Sequence, residues 1–166
     1  MDAQQLSHEL READNADLRR RRQIIGLSLV GAAMGGIVTL YQTGIIKRLP
    51  DPPVPIFDSS RVDASDYGYK RMQTPDGVMM LFTYALTIWL AAAGGKDRVR
   101  QMPALPVALA LKTLADALLN IEFAREEWGE NKAFCAYCQT ASLCSLASVI
   151  VAYPEAAEAL RNLSGG

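Results

Sequence analysis

The chain has 166 residues, enough for one domain, and its 17 basic residues nearly cancel its 18 acidic ones, for a formal net charge of −1. That balance carries no nucleic-acid signature, and no nucleic-acid partner is expected. Half of the residues are hydrophobic, yet the charges crowd into the N-terminal tail and the loops, whereas a soluble bundle would spread charge over every helix.

Residues 1–22 are polar and charged and end in Arg19, Arg20, Arg21 and Arg22, which predicts a cytoplasmic tail holding a frayed helix. The first uncharged run follows, Gln23 to Ile46, roughly 24 residues and long enough to cross ~30 Å of hydrocarbon as a helix. It is too long for the apolar stretch of a signal peptide, and no A-x-A pattern closes it. Gly31 and Gly35 form a small-xxx-small pair along it, which permits close helix approach.

Residues 47–76 form the longest loop, opening on Pro50, Pro52, Pro53 and Pro55, with Ser59 to Tyr69 suited to a short helix at the membrane interface. The second span is predicted from about Pro75 to Ala93, ended by Gly94-Gly95. A basic loop from Lys96 to Arg100 leads to Pro103 and Pro106 in the first turns of a third span, Met102 to Phe123, which carries Lys112, Asp116 and Glu122. Lys112 and Asp116 are four apart and can pair on one helix face; charges at membrane depth suggest function, with a structural pair and a snorkelling lysine as the alternative. Asn120 either donates into a cavity or bonds a neighbouring helix. Arg125 to Lys132 reads as a short acidic turn, and a fourth span runs from Phe134 to about Pro154.

The expected fold is therefore an all-α, four-transmembrane-helix bundle over residues 23–153, embedded in a lipid bilayer, with a cytoplasmic C-terminal tail at 154–166. The positive-inside rule places the arginine block and the Lys96–Arg100 loop in the cytoplasm together, so both termini are cytoplasmic and the acidic turn lies outside. Lys47 and Arg48 weigh mildly against this.

Cys135, Cys138 and Cys144 are the only cysteines, all at the start of or within the fourth span. Cys135-Ala-Tyr-Cys138 is a C-x-x-C at a helix start, near the outer face, and three residues apart on a helix is one face. A helix N-terminus favours thiolate at the first cysteine, and a thiolate beside a second thiol is the chemistry of disulfide exchange. Haem attachment is excluded because Gln139, not histidine, follows. No metal is expected, since a structural zinc site needs four ligands and the lone His8 falls on the opposite side. The plain alternative is two small side chains in a packed helix, and for Cys144 packing is the expectation.

Phe134-Cys135-Ala136-Tyr137-Cys138 followed by Thr140, Ala141 and Ser142, Pro75 followed nine residues later by Tyr84, and the upstream Ser65 and Tyr67, on a four-span bundle, resemble the vitamin K epoxide reductase family. The resemblance spans roughly residues 23–153. It implies a membrane thiol oxidoreductase of the bacterial inner membrane in which Cys135 and Cys138 are catalytic and exchange electrons with a quinone, Cys138 facing the quinone and Cys135 the incoming thiol. It further implies that Asp76, Tyr84, Asn120 and Ser142 line the quinone site. One departure stands out. Most members carry a second cysteine pair in the first outer loop, and residues 47–76 contain no cysteine; Ser59 or Ser60 stands where the second would be. Two readings stay open: a separate thioredoxin-like or other thiol protein meets Cys135 directly on the outer side, or the chain is a non-catalytic membrane subunit that keeps the fold without the electron relay.

Overall fold

The computed structural model describes residues 2–164. Seven α-helices follow one another: α1 (Ala3–Glu12), α2 (Ala16–Gln42), α3 (Ser59–Asp63), α4 (Asp76–Ala92), α5 (Arg98–Gln101), α6 (Ala104–Asn131) and α7 (Ala136–Ser164), with one 3-10 turn at Asp66–Tyr69. Among the described residues there is no strand, only an isolated bridge between Phe57 and Phe134. Helices α2, α6 and α7 are long and apolar enough to cross a membrane. α4 is equally apolar but has only 17 residues, about 25 Å at 1.5 Å per residue.

Burial is inverted relative to a soluble bundle. Phe82 is 72% exposed and Ile150 76%, and Leu29, Trp89, Leu118 and Leu143 also face outward. The helix contacts instead use small and hydroxyl residues, among them Ser28, Thr113, Ala117, Ser145, Ser148 and Ala152. Small residues inside and large apolar ones outside is how helices pack when the solvent is lipid, and so large an outward apolar surface is not sustained in water. The chain is a multi-pass membrane protein.

Close approach is clearest between α2 and α4. A Cβ on Gly31 would lie 2.2 Å from Tyr84 Cζ, and one on Gly35 2.8 Å from Met80 Cβ, so both positions require glycine. α2 also packs tightly on α7, and α7 on α6, whereas α4 and α6 meet only sparsely. What bridges that gap is polar. Lys112 Nζ donates to Thr83 O (2.6 Å) and Thr87 Oγ1 (2.7 Å) on α4 and to Asp116 on its own helix, and Thr83 Oγ1 donates to Asp116 Oδ1 at 3.1 Å. The lysine therefore points inward at α4 rather than snorkelling.

The short α4 ends inside the bundle, and its C-terminal carbonyls would be orphaned in lipid. Two buried arginines satisfy them. Arg21 donates to Ala91 O, Ala92 O, Ala93 O, Gly94 O and Gly95 O at 2.7–3.1 Å. Arg98 donates to Leu90 O and Ala93 O and grips Glu155 of α7 through two bonds of 2.7 Å.

Four expectations change here. Residues 1–22 are not one frayed helix: α1 stops at Glu12, and α2 starts at Ala16, capped by Asn15, whose side chain accepts from Leu18 N at 2.7 Å. The acidic turn is helical, since α6 continues to Asn131 before the left-handed Lys132 (φ 52°) ends it; nothing between Arg125 and Glu130 breaks a helix except the weak breaker Gly129. The fourth helix does not stop at Pro154, which lies inside α7, because Glu155, Ala156 and Ala159 beyond it are buried and the Arg98–Glu155 pair anchors them. Lastly, Ser59–Tyr69 is not one helix: α3 ends at Asp63, a 3-10 turn follows at Asp66–Tyr69, and Val62, Asp63 and Tyr67 are buried over the end of the bundle.

Candidate active site at the cysteine pair

The loop after α2 is laid across the N-terminus of α7. Phe134 N donates to Ile56 O (2.8 Å) and Asp58 N to Phe134 O (3.1 Å), while Tyr137 OH donates to Pro50 O at 2.7 Å. Ser59 is held by Asp51 through its backbone N–H at 2.9 Å and a short hydroxyl bond. Its Oγ accepts from Ala136 N at 2.8 Å. Ser59, which with Ser60 stands about where the family's second loop cysteine falls, thus caps the helix that carries the C-x-x-C.

The remaining free N–H groups of α7 are met locally. Glu127 of α6 accepts a short bond from Cys135 N and one of 2.8 Å from Gln139 Nε2. Cys135 Sγ itself accepts from Cys138 N at 3.2 Å, the geometry of an N-cap side chain. Both thiols are free. Cys135 has no exposed surface, and burial pushes its thiol above the ordinary value, with Asp63 adding to the effect. The helix-terminus argument for a thiolate at Cys135 is therefore outweighed by desolvation.

Asp63, at the end of α3, comes down on the pair. It has no exposed surface, and the Cys138 thiol donates to its Oδ1 at 3.8 Å. Its Oδ2 has no partner. Burial, reinforced by Asp76, pushes the carboxyl up to about 8. Asp63, Cys135 and Cys138 place their donor atoms within 4.8 Å of one another, a set of three where a closed structural zinc site uses four.

Next to Cys138 lies a cavity of about 200 Å³ between α4 and α6, walled on one side by α7. It occupies the space that the sparse α4–α6 contact leaves open. Asp76, Tyr84, Asn120, Cys138 and Ser142 line it; Cys135 lies behind Cys138. Several of these groups are already committed. Asp76 Oδ1 accepts from Gln42 Nε2 at 2.6 Å, and Ser142 Oγ donates back to Cys138 O at 2.8 Å. Tyr84 OH donates to Ala141 O at 2.5 Å and bonds Ser145 Oγ at 2.9 Å, so the tyrosine offers the cavity its ring and not its hydroxyl.

Arg71 closes the cysteine end of the cavity. Its guanidinium stacks 3.7 Å over the Phe123 ring and pairs with Glu126 at 2.7 Å. The two residues after it, Met72 and Gln73, take left-handed φ of 55° and 53°, an unusual backbone for non-glycine residues and a mark of a constrained loop. Asp63, Glu127, Gln42 and Arg71 were not singled out from sequence. Only Glu127 had any signal, as one of a run of acidic residues.

Residues 22–153 match the family model described as the vitamin K epoxide reductase family. No curated protein matches the chain, and no solved structure does.

Proposed function

The chain belongs to the vitamin K epoxide reductase family, and on that premise we propose that it is a quinone-linked thiol oxidoreductase whose Cys135–Cys138 pair cycles between dithiol and disulfide. In this reading α2, α4, α6 and α7 are four spans. The arginine end with both termini faces the cytoplasm, the cysteine end faces outward, and the membrane is the bacterial inner membrane. Cys138 meets the quinone, with Asp76, Asn120, Tyr84 and Ser142 as the walls of its site, and a separate thiol protein supplies the reducing equivalents.

The observation that carries the reading is the cavity that abuts Cys138. At about 200 Å³ it falls below the ~300 Å³ where pockets for drug-sized ligands begin. That suits a single ring system, with any isoprenoid tail leaving between helices into lipid. Its walls are largely apolar, with Met79, Met80, Leu119 and Phe123, and a few polar side chains, Asn120 and Ser142 among them, share the lining with Cys138, the pattern expected of a site that orients a flat, weakly polar ligand.

The test uses the full chain in lipid nanodiscs with a ubiquinone or menaquinone analogue. The reduced wild-type protein should convert about one equivalent of quinone to quinol while losing two thiols, and Cys138→Ala should do neither. Quinol formation that survives Cys138→Ala defeats the proposal.

One observation favours the second reading, a non-catalytic subunit. Cys135 has no exposed surface and is packed with Val38, Val62 and Tyr67 under the loop that Ser59 ties to Ala136, so no partner thiol reaches it unless that loop lifts. A partner chain trapped on Cys138→Ala as a reducible adduct, and absent from Cys135→Ala/Cys138→Ala, decides for catalysis; a folded variant that traps nothing in native membranes decides for the subunit.

A further inference from the structure

Resting on the redox reading of the pair, we infer that Asp63 is its proton-transfer residue, the carboxylate at Oδ1 taking the proton of the Cys138 thiol as the disulfide closes and returning it as the disulfide opens. The step balances. The S–H bonds of Cys138 and Cys135 break and one S–S bond forms. Two electrons pass to the quinone, and the two thiol protons, one of them carried by Asp63, convert it to quinol.

Geometry points to Asp63 among three neighbouring carboxylates. Glu127 is committed to the backbone N–H of Cys135 and to Gln139, and Asp76 to Gln42. Asp63 alone accepts from a reacting sulfur, and its second oxygen is buried without a partner. An unpaired buried carboxylate is a poor structural device, because nothing offsets its desolvation. The ionisable groups that face it are acids, thiols and a phenol: Asp76 on α4, Glu127 on α6, Cys135 and Cys138 at the start of α7, and Tyr69 of the 3-10 turn. From α2, Gln42 donates to the backbone carbonyl of Asp63 at 3.3 Å. Burial pushes the Asp63 carboxyl up to about 8, toward the thiol range and away from the ordinary carboxyl range, which makes it a stronger base toward the thiol it already contacts.

The experiment follows single-turnover loss of the two thiols between pH 6 and 10 in nanodiscs, with two oxidants, a short-chain quinone and diamide, for wild type, Asp63→Asn and Asp63→Glu. Wild type should accelerate as pH rises through about 8. Asp63→Asn should close the pair at least ~30-fold more slowly at pH 7 with either oxidant, lose that limb, and narrow its gap to wild type toward pH 10, where hydroxide competes for the thiol proton. Asp63→Glu should restore part of the rate with a displaced midpoint, and it serves as the test if the asparagine variant does not fold. An Asp63→Asn rate within about threefold of wild type at pH 7, or one reduced equally at every pH, overturns the assignment. A wild-type pair that closes with diamide but not with quinone removes the quinone reading and still tests Asp63 in the diamide arm. A wild-type pair that closes with neither oxidant overturns both.

Discussion

The two ends of the bundle handle buried charge in opposite ways. At the arginine end, Arg21, Arg98 and Glu155 are buried and every one is answered: the arginines by the last carbonyls of α4 and those just after it, and Glu155 by a bidentate guanidinium. At the cysteine end Glu127 is answered too, but Asp63, equally buried, has one long contact to a thiol and an oxygen with no partner. Satisfied charges fix a structure, and unsatisfied ones store a tendency to change protonation or contact. The first end therefore holds the fold, and the second keeps one buried carboxyl, that of Asp63, free to change protonation, as the proposed function requires.

The comparison breaks most visibly at the arginine end. Arg98→Ala should leave Glu155 buried without its partner, at a cost of about 3–5 kcal/mol, read as a large fall in the unfolding midpoint in detergent. Arg98→Met/Glu155→Leu should recover much of that loss, because no lone charge remains, but not all of it, because Arg98 also serves Leu90 and Ala93. A single variant as stable as wild type would mean that the pair does not hold α7 to α5.

At the cysteine end the expected sign is reversed. The Asp63 carboxyl stands at about 8 in the fold against an ordinary 3.8, so between pH ~4 and ~8 the folded state keeps a proton that the unfolded state releases. This contribution is fully present below pH ~4 and is lost as pH rises through about 8. Asp63→Asn removes the slope and should make the protein more stable than wild type above pH 8, by an amount on the order of 3 kcal/mol. Parallel stability–pH curves for the two proteins would show that Asp63 does not titrate in the fold.

A third prediction tests the packing that positions the cavity wall. Gly31→Ala places a methyl 2.2 Å from the Tyr84 ring, costing about 1–3 kcal/mol. It should also shift Tyr84 off Ala141 and Ser145, visible as slower quinone turnover. Gly36→Ala, whose Cβ meets nothing within 4 Å, should be neutral on both measures.

What was legible in the sequence follows the range of the forces involved. Uncharged runs announce membrane helices because bilayer thickness is a one-dimensional constraint, and Gly31–Gly35 was readable because helix approach depends on residues four apart. Cys135 and Cys138 were readable as neighbours because three residues at a helix start share one face, and their sulfurs do lie together. Helix ends set by distant partners were not: Pro154 looks like a stop until Arg98, 56 positions earlier, is known to bury Glu155. Asp63 was hidden for the same reason. It lies 75 residues from Cys138, in a polar stretch that reads as surface, and only the fold of the loop over α7 brings it to the thiols. The arginine block carried two meanings at once, a charge signal for topology and, in Arg21 alone, a cap for α4.

The smallest expected effect concerns Cys144, and it separates the redox pair from its helix. Cys144 lies nine residues after Cys135 and six after Cys138 on α7, about 13 Å and 9 Å along the axis at 1.5 Å per residue. A disulfide needs Cα atoms within ~7 Å, so Cys144 can bridge to neither without unwinding the helix. It is buried among small residues, and its carbonyl accepts from Ser148 Oγ at 2.8 Å whatever its side chain is. Cys144→Ala removes one sulfur from a helix contact and should cost no more than about 1 kcal/mol, leaving thiol closure and quinone turnover at wild-type rates. Cys135→Ala or Cys138→Ala should abolish both, with Cys135→Ala also costing about 1 kcal/mol because its sulfur caps the start of α7. If Cys144→Ala proves as damaging to closure as the other two, the third cysteine takes part in the exchange, and the contrast between a reacting sulfur and a packing sulfur on the same helix fails.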